Sequence, residues 1–118
     1  MQNKLTHEET VRARGLEAFV DRKLKMLGFD TTRISKSIFN LAARHDEVIL
    51  ANVSENTRNL HEKAEMLHGI SEVTGKRAVL VYKRFRKNSV DGVPVITKND
   101  LDNISDVTGL EETIEEKI

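Results

Sequence analysis

The sequence predicts a small α/β protein with a mixed β-sheet flanked by helices. Its length of 118 residues is close to the commonest size of one domain. Apolar residues recur at helical spacing in two long segments, and short apolar runs typical of strands lie between and after them. Because the second helical segment stands between two such runs, those strands are expected to be parallel neighbours joined by a crossover. The predicted order is α-β-β-β-α-β-β-α.

The first helix is predicted over residues 7–27. Thr6 and Glu9 have the spacing of a capping box, which satisfies free amides at a helix start. Gly28 is typical of the position just after a helix end. Residues 31–36 follow with a weak pattern, and they are predicted as an edge strand.

A β-hairpin is predicted next. The runs 38–43 and 47–53 are β-prone, and only three residues, Arg44, His45 and Asp46, separate them. The second run is almost continuously apolar, as in a strand that is covered on both faces.

The second half of the chain predicts a helix, two strands and a last helix. The helix covers residues 57–74 and ends at Gly75, and its buried stripe is expected to comprise Leu60, Ala64, Leu67, Ile70 and Val73. Strands follow over 77–82 and 93–96; Pro94 lacks a ladder donor and therefore belongs at a sheet edge or a strand start. Gly92 indicates a turn before the second of these strands.

Thr97 and Asp100 open the last predicted helix, in which Leu101 and Ile104 form the buried side. We expect residues 1–106 to form one α/β domain. Residues 107–118 are expected to be an acidic C-terminal tail or a short helix.

Composition excludes several classes of protein. There is no Cys, which excludes disulfides, thiolate metal sites and Cys nucleophiles. The polar N-terminus does not resemble a signal peptide, and no apolar run is long enough to span a bilayer. Nucleotide- and dinucleotide-binding motifs do not occur, so no cofactor is predicted. We expect a cytoplasmic protein.

The formal net charge is zero, but the charges are unevenly distributed. Six basic residues and no acid lie between residues 76 and 87, whereas seven acids and one Lys lie between residues 100 and 118. The candidate nucleic-acid-binding residues follow a predicted strand, where α/β proteins often bind ligands; they are Lys83, Arg84, Phe85, Arg86 and Lys87. The cations suit phosphates and Phe85 suits an exposed base.

Two alternatives to this interpretation stay open. The basic segment can be a solvated loop whose Phe85 folds back into the core. The acidic C-terminus can be an ordinary solvated end, or it can compete with a polyanion for the basic loop.

His61, Glu65 and His68 lie on one arc of the second helix, at a spacing that can bind a transition metal. Polar residues beside an apolar stripe are the simpler explanation, so no metal site is predicted.

The hairpin followed by a crossover helix resembles the core of restriction-endonuclease-like nucleases and Holliday junction resolvases. The resemblance implies an Asp on one hairpin strand and a Glu-x-Lys on the next, which hold a divalent cation and the attacking water. This sequence has Asn40, Leu50 and Asn52 at those places. The resemblance implies that residues 1–106 are a restriction-endonuclease-like domain. Its nuclease positions are degenerate, and no catalytic residue is predicted.

Residues 39–60 also resemble the N-terminal domain of archaeal helix-turn-helix transcriptional regulators. Phe39, Ala43, Arg44, Val53 and Asn56 fit that pattern, and Asn40 and Asn52 depart from it. The likeness extends over about residues 20–105. The regulators carry a helix-turn-helix after this domain and this chain ends at Ile118, so the resemblance implies an accessory or regulatory domain rather than a sequence-reading one.

Three functions are therefore expected, in decreasing order of preference. The first is a catalytically inactive nuclease-fold domain that binds DNA or RNA, or acts in transcription-related regulation, through the basic loop. The second is a protein-interaction or dimerisation module without a nucleic-acid role, and the third is a nuclease with a displaced acidic site. A homodimer is expected through an apolar sheet edge at residues 93–96.

Overall fold

The computed structural model describes the backbone of residues 4–118 and the side chains of residues 15–118. The helices are α1 (Lys4–Leu27), α2 (Leu60–Thr74), α3 (Lys98–Asp102) and α4 (Val107–Glu116). The strands are β1 (Asp30–Arg33), β2 (Leu41–Arg44), β3 (Val48–Val53), β4 (Arg77–Tyr82), β5 (Ser89–Val90) and β6 (Val93–Thr97). The α/β class and the flanked mixed sheet are confirmed.

The six strands form one open sheet in the order β1-β2-β3-β4-β6-β5. β1, β2 and β3 are antiparallel neighbours, β4 pairs with β3 and β6 in parallel, and β5 is antiparallel to β6. The hairpin and the parallel pair around α2 are thus confirmed. The C-terminal ends of β3, β4 and β6 meet at one edge of the sheet, where the basic segment begins.

The two faces of the sheet bury separate apolar clusters. Alternate side chains of β2, β3 and β4 pack with α1, α3 and α4 on one face, and the intervening side chains of β4 and β6 pack with α2 on the other. This alternation is the direct result of the two-residue period of a strand. The central strands are therefore covered on both sides, as the apolar run 47–53 predicted.

Helix α1 ends where the sequence predicted. Gly28 has φ 114°, and the next amide, that of Phe29, donates to the Leu24 carbonyl at 2.9 Å. Such a left-handed residue ends the helix and satisfies its last carbonyls. The helix begins three residues before the predicted start, and the predicted capping box of Thr6 and Glu9 lies outside the residues whose side chains are described.

Strand β2 begins at Leu41, not at residue 38. The Asn40 backbone amide still donates to the Ala51 carbonyl, but the Asn40 side chain, not the preceding backbone, pairs with Val53. Helix α2 begins at Leu60, not at residue 57, because residues 54–59 form a turn. In that turn the Arg58 amide donates to Asn56 Oδ1 at 3.0 Å, and Asn59 is left-handed. The predicted buried stripe is correct at Ala64 and Leu67 and wrong at Val73, which is 88% exposed.

The prediction that residues 93–96 form an exposed apolar edge is wrong. β6 lies between β4 and the unpredicted β5, and its residues Val93 to Ile96 are all buried. Pro94 stands near the strand start, before parallel pairing with β4 begins at Val95. The predicted dimer contact at this edge therefore has no structural basis.

The end of the chain is helical. Thr97 and Asp100 open α3 as predicted, and their side chains form a capping box. Leu101 and Ile104 are buried as predicted, although α3 ends at Asp102, before Ile104. Helix α4 follows, and its Leu110 and Ile114 enter the larger apolar cluster. No helix in the described part of the chain is long and apolar enough to cross a membrane.

Candidate nucleic-acid interface

The basic residues lie on the loop that leads from the end of β4 to β5. Lys83, Arg84, Arg86 and Lys87 are exposed, and Phe85 among them is half-buried. The Phe85 ring stacks on the buried Tyr82 ring, with 5.4 Å between the centroids and an interplanar angle of 17°. The aromatic pair holds the loop against the sheet while the four cations extend into solvent.

Phe85 therefore has the packing that the solvated-loop alternative expected, on the α2 side of the sheet. Its remaining surface lines a groove that it shares with the cations. One face of the ring is occupied by Tyr82, which limits Phe85 to contacts from the groove side.

The loop is fixed at its far end by a tight hairpin between β5 and β6. Asp91 and Gly92 both have positive φ, 49° and 84°, as the two-residue turn of a hairpin requires. His61 Nδ1 of α2 lies 2.8 Å from Asp91 Oδ2. A Cβ on Gly92 would lie 3.4 Å from the His68 ring, so the turn rests closely on α2. The Asp-Gly pair is the signal that could have predicted β5.

Two open grooves flank Arg84. One, of about 530 Å³, runs between the loop and the start of α2 and is lined by Leu60, His61, Arg84, Phe85, Arg86, Lys87, Ser89, Val90 and Asp91. The other, of about 540 Å³, is lined by Glu55, Asn56, Thr57, Tyr82, Lys83 and Arg84. Cations thus line both grooves at the edge of the sheet where β3 and β4 end.

The four cations of the loop form no ion pair within residues 15–118. The acidic helix α4 instead contacts the opposite end of β4, where Glu115 Oε1 accepts from Arg77 at 2.8 Å. This hydrogen bond, against the cost of partial burial, raises the pKa of Arg77. Glu115 of α4 is thus engaged away from the basic loop.

Asn40, at the first degenerate nuclease position, has a structural role. Its side-chain amide donates to the Val53 carbonyl at 2.8 Å, and its Oδ1 accepts from the Val53 amide at 2.9 Å. The side chain thus imitates one more residue of β2 and extends the ladder with β3. Both the donor and the acceptor of the carboxamide are thus used. A carboxylate could not donate the bond to the Val53 carbonyl.

The other two degenerate positions are also unsuited to a divalent cation. Leu50 is a buried hydrocarbon. Asn52 is buried on the α2 side, where its Nδ2 donates to the Ile38 carbonyl and its Oδ1 has no partner among the described residues. Because hard dications require several oxygen ligands, Asn40, Leu50 and Asn52 do not fit the metal site of the nuclease resemblance.

A small polar group lies beside Asn52. Lys63 Nζ donates to Ser54 Oγ at 3.2 Å, and burial lowers the pKa of Lys63. Burial likewise raises the pKa of Tyr82, although the nearby Ser54 hydroxyl opposes the shift. The Tyr82 hydroxyl forms no hydrogen bond of normal geometry within the described residues.

The histidines of α2 are engaged in pairs with single carboxylates. His61 contacts Asp91, and His68 Nε2 lies 2.9 Å from Glu72 Oε1. In the described part of the chain no three His, Asp or Glu side chains are grouped as metal ligands would be.

Comparison with known proteins finds several archaeal relatives. A protein of Thermococcus gammatolerans is 35% identical over 102 residues, which are 85% of this chain and 32% of the relative. A protein of Pyrococcus horikoshii is 32% identical over 103 residues (84% and 33%), and one of Methanosarcina acetivorans is 32% identical over 103 residues (86% and 31%). Each bears the name "putative HTH-type transcriptional regulatory protein". These archaeal proteins are its homologues.

The homologues support the resemblance to archaeal regulators that residues 39–60 indicated. The chain spans about a third of the length of the curated relatives that it matches. No family model and no solved structure matches the chain.

Proposed function

We propose that this chain is a nucleic-acid-binding regulatory domain that contacts phosphates through Lys83, Arg84, Arg86 and Lys87. The observation that carries the proposal is the cluster of four exposed cations on a loop anchored by stacked rings. The names of the homologues, which are those of transcriptional regulators, agree with a regulatory role.

The loop favours phosphate contacts over base recognition. Its cations are long and point into open grooves, whereas Phe85 is held by Tyr82 on one face. Phosphate contacts release counterions, so binding should weaken steeply as salt rises and should depend little on sequence. The groove surface of Phe85 can add an apolar contact to a nucleotide, which is secondary to the charge.

We propose further that the scaffold is a degenerate form of the restriction-endonuclease-like fold and is catalytically silent. The order of a helix, a hairpin, a crossover helix and a parallel strand supports the relationship. The structural use of Asn40 and the burial of Leu50 and Asn52 support the loss of hydrolysis. A cleavage assay on branched and linear DNA with Mg²⁺ or Mn²⁺ is expected to give no product, and metal-dependent cleavage would contradict the proposal.

The binding proposal is tested by fluorescence anisotropy with labelled duplex DNA, single-stranded DNA and RNA at several salt concentrations. For the nucleic acid that binds most tightly, the double variant Arg84→Ala/Arg86→Ala should bind at least about tenfold more weakly than the unchanged protein. For duplex DNA its log–log salt slope should be smaller by about 0.9 for each phosphate that the variant no longer neutralises.

A matched control removes the same charge elsewhere. Arg22 and Arg44 are also exposed, on α1 and at the far end of β2, so Arg22→Ala/Arg44→Ala should bind almost as the unchanged protein does. Equal losses of affinity in the two double variants, or no binding at low salt, would exclude the loop as the nucleic-acid interface.

A further inference from the structure

A third groove continues the row formed by the two grooves beside Arg84. It has a volume of about 250 Å³ and is lined by Gly15, Leu16, Phe19, Glu55, Lys83 and Lys98. Glu55 and Lys83 also line the groove of about 540 Å³, and Arg84 lines both that groove and the one of about 530 Å³. The three grooves therefore adjoin one another. Because the first contains residues of α2 and the last contains residues of α1, the row crosses the end of the sheet from the α2 side to the α1 side.

The order of the strands explains why the grooves adjoin. Glu55 follows β3, Lys83 follows β4 and Lys98 follows β6. These three strands are parallel neighbours with β4 in the middle, so their C-terminal ends stand side by side, about 4.8 Å apart. The backbone of Lys83 thus lies between those of Glu55 and Lys98. This edge of parallel strands is a common place for a ligand in α/β proteins.

Lys98 extends the line of cations beyond the basic loop. Its Nζ lies 5.0 Å from the centre of the Phe19 ring, which holds the side chain over α1. Lys98 forms no ion pair within residues 15–118. Each of the three grooves therefore contains at least one cation, with Lys83 and Arg84 shared between neighbours. A concave, basic path of this kind suits a flexible polyanion that can follow it.

Two side chains in the grooves favour a single strand over a duplex. The surface of Phe85 that Tyr82 leaves free lines the first groove, and the face of a base can reach it only when that base is not stacked inside a double helix. Glu55 lines the second and third grooves. Its carboxylate would repel the second row of phosphates that a duplex brings, whereas it can accept a hydrogen bond from the amino group of an exposed base.

We infer that the ligand of the basic loop is a single-stranded nucleic acid that crosses the end of the sheet, with a base against Phe85 and a backbone phosphate at Lys98. The inference rests on the proposed nucleic-acid binding and names its ligand. Stacking on Phe85 tolerates any base, because every base has an aromatic face. Lys98 becomes a further phosphate-binding residue, outside the loop and on the other side of the sheet.

The first measurement compares strands by fluorescence anisotropy with the full chain. Labelled single-stranded DNA and RNA of about twelve nucleotides, without self-complementary sequence, are titrated beside a hairpin duplex that has the same number of nucleotides. The better of the two single strands should bind about fivefold or more tightly than the duplex, because only a single strand offers a base to Phe85.

A substitution at Phe85 tests the stacked base. Phe85→Leu keeps an apolar side chain beside Tyr82 and should weaken single-strand binding by about fivefold, while duplex binding should stay within about twofold. Phe39→Leu is the matched control. Phe39 is also partly buried and packs against the same apolar cluster, but it lines none of the three grooves, so this variant should bind both ligands normally.

A substitution at Lys98 tests the path across the sheet. Lys98→Ala should weaken single-strand binding several-fold and should reduce the log–log salt slope by about 0.7, as expected for one lost phosphate contact. Lys98→Arg keeps the charge and should bind normally. Lys23→Ala is the matched control, because Lys23 is also partly exposed but lies towards the end of α1 and lines none of the grooves.

The possible failures are distinguishable. A duplex that binds as tightly as the single strands would leave the basic loop as an interface but overturn the single strand as its ligand. Equal effects of Lys98→Ala and Lys23→Ala, or of Phe85→Leu and Phe39→Leu, would also overturn this inference alone. No binding of any nucleic acid at low salt would overturn the proposed function as well. Circular dichroism checks the fold of each variant, and Phe85→Met, which also lacks an aromatic face, replaces Phe85→Leu if that variant is unfolded.

Discussion

At the scale of single residues, Asn40 shows how a position that resembles a catalytic one can serve the backbone. Its carboxamide donates to and accepts from Val53 and thereby extends the β2–β3 ladder beyond the start of β2. An Asp at this position would lose the donated bond and bring a carboxylate oxygen against the Val53 carbonyl. Asn is therefore the side chain that this geometry requires.

We predict that Asn40→Asp is more destabilising than Asn40→Ala. At neutral pH the Ala variant should lose about 1–2 kcal/mol of unfolding free energy for the two missing bonds. The Asp variant should lose roughly 1 kcal/mol more, because it keeps a charged group facing a carbonyl. Urea unfolding monitored by circular dichroism measures both values. If the Asp variant were as stable as the unchanged protein, Asn40 would have no structural role of this kind.

A sequence pattern alone cannot predict which contacts such side chains form. The sequence placed Asn40, Leu50 and Asn52 at nuclease positions but could not show that the Asn40 side chain turns onto its own hairpin. It also left two alternatives for Phe85, since a single aromatic residue in a charged loop has no periodicity to orient it. The three-dimensional arrangement settled the packing of Phe85 on Tyr82.

At the scale of elements, the edge strand β1 is fixed to α1 by one buried carboxylate. The Asp21 side chain is 10% exposed, accepts from the Thr31 hydroxyl and from Arg33 Nε at 3.1 Å, and lies 3.5 Å from Lys25 Nζ. Burial tends to raise the pKa of Asp21, but the Thr31 hydrogen bond and the two cations outweigh it, so the pKa is lowered.

This lowered pKa predicts an acid-sensitive contribution to stability. A carboxyl whose pKa is lower in the folded chain stabilises it above the unfolded pKa, and the contribution is lost as the pH falls through the folded value. The free energy of unfolding should therefore decline below about pH 4. Asp21→Asn should cost about 2 kcal/mol at neutral pH and show a shallower acid decline. Parallel pH curves for the two proteins would contradict this role of Asp21.

Helices and strands with a clear apolar pattern or a clear start residue could be predicted from the sequence. Features that depend on contacts with other parts of the fold could not. The run 77–82 matched β4 residue for residue, and Thr97 with Asp100 marked the start of α3 correctly. The two-residue strand β5 was missed because it is too short to show alternation; only the Asp91–Gly92 turn reveals it. Val73 was misplaced because successive steps of three residues, from Leu67 to Ile70 to Val73, each turn about 60° around the helix and carry Val73 away from the buried side.

At the scale of the whole molecule, the acidic end of the chain belongs to the structure around the sheet. Leu110 and Ile114 are 3% and 1% exposed, in the same cluster as residues of α1 and of the central strands. The sequence allowed either a tail or a short helix for residues 107–118, since four acids accompany the apolar pair there. The basic loop follows the C-terminal end of β4, whereas Glu115 of α4 pairs with Arg77 at the other end of that strand, and Lys117 after α4 pairs with Asp100.

This separation predicts that the acids of α4 do not inhibit the basic loop. Deleting residues 107–118 is an unsuitable test, because losing Leu110 and Ile114 should cost about 2–5 kcal/mol for each and unfold much of the protein. Replacing Glu111, Glu112, Glu115 and Glu116 by Gln keeps the apolar pair. Six residues of strand separate Arg77 from the loop by about 20 Å, whereas charges are screened beyond about 8 Å at physiological salt. The fourfold Gln variant should therefore bind duplex DNA within about twofold of the unchanged protein at that salt, and a tenfold gain in affinity would establish the competition that this geometry argues against.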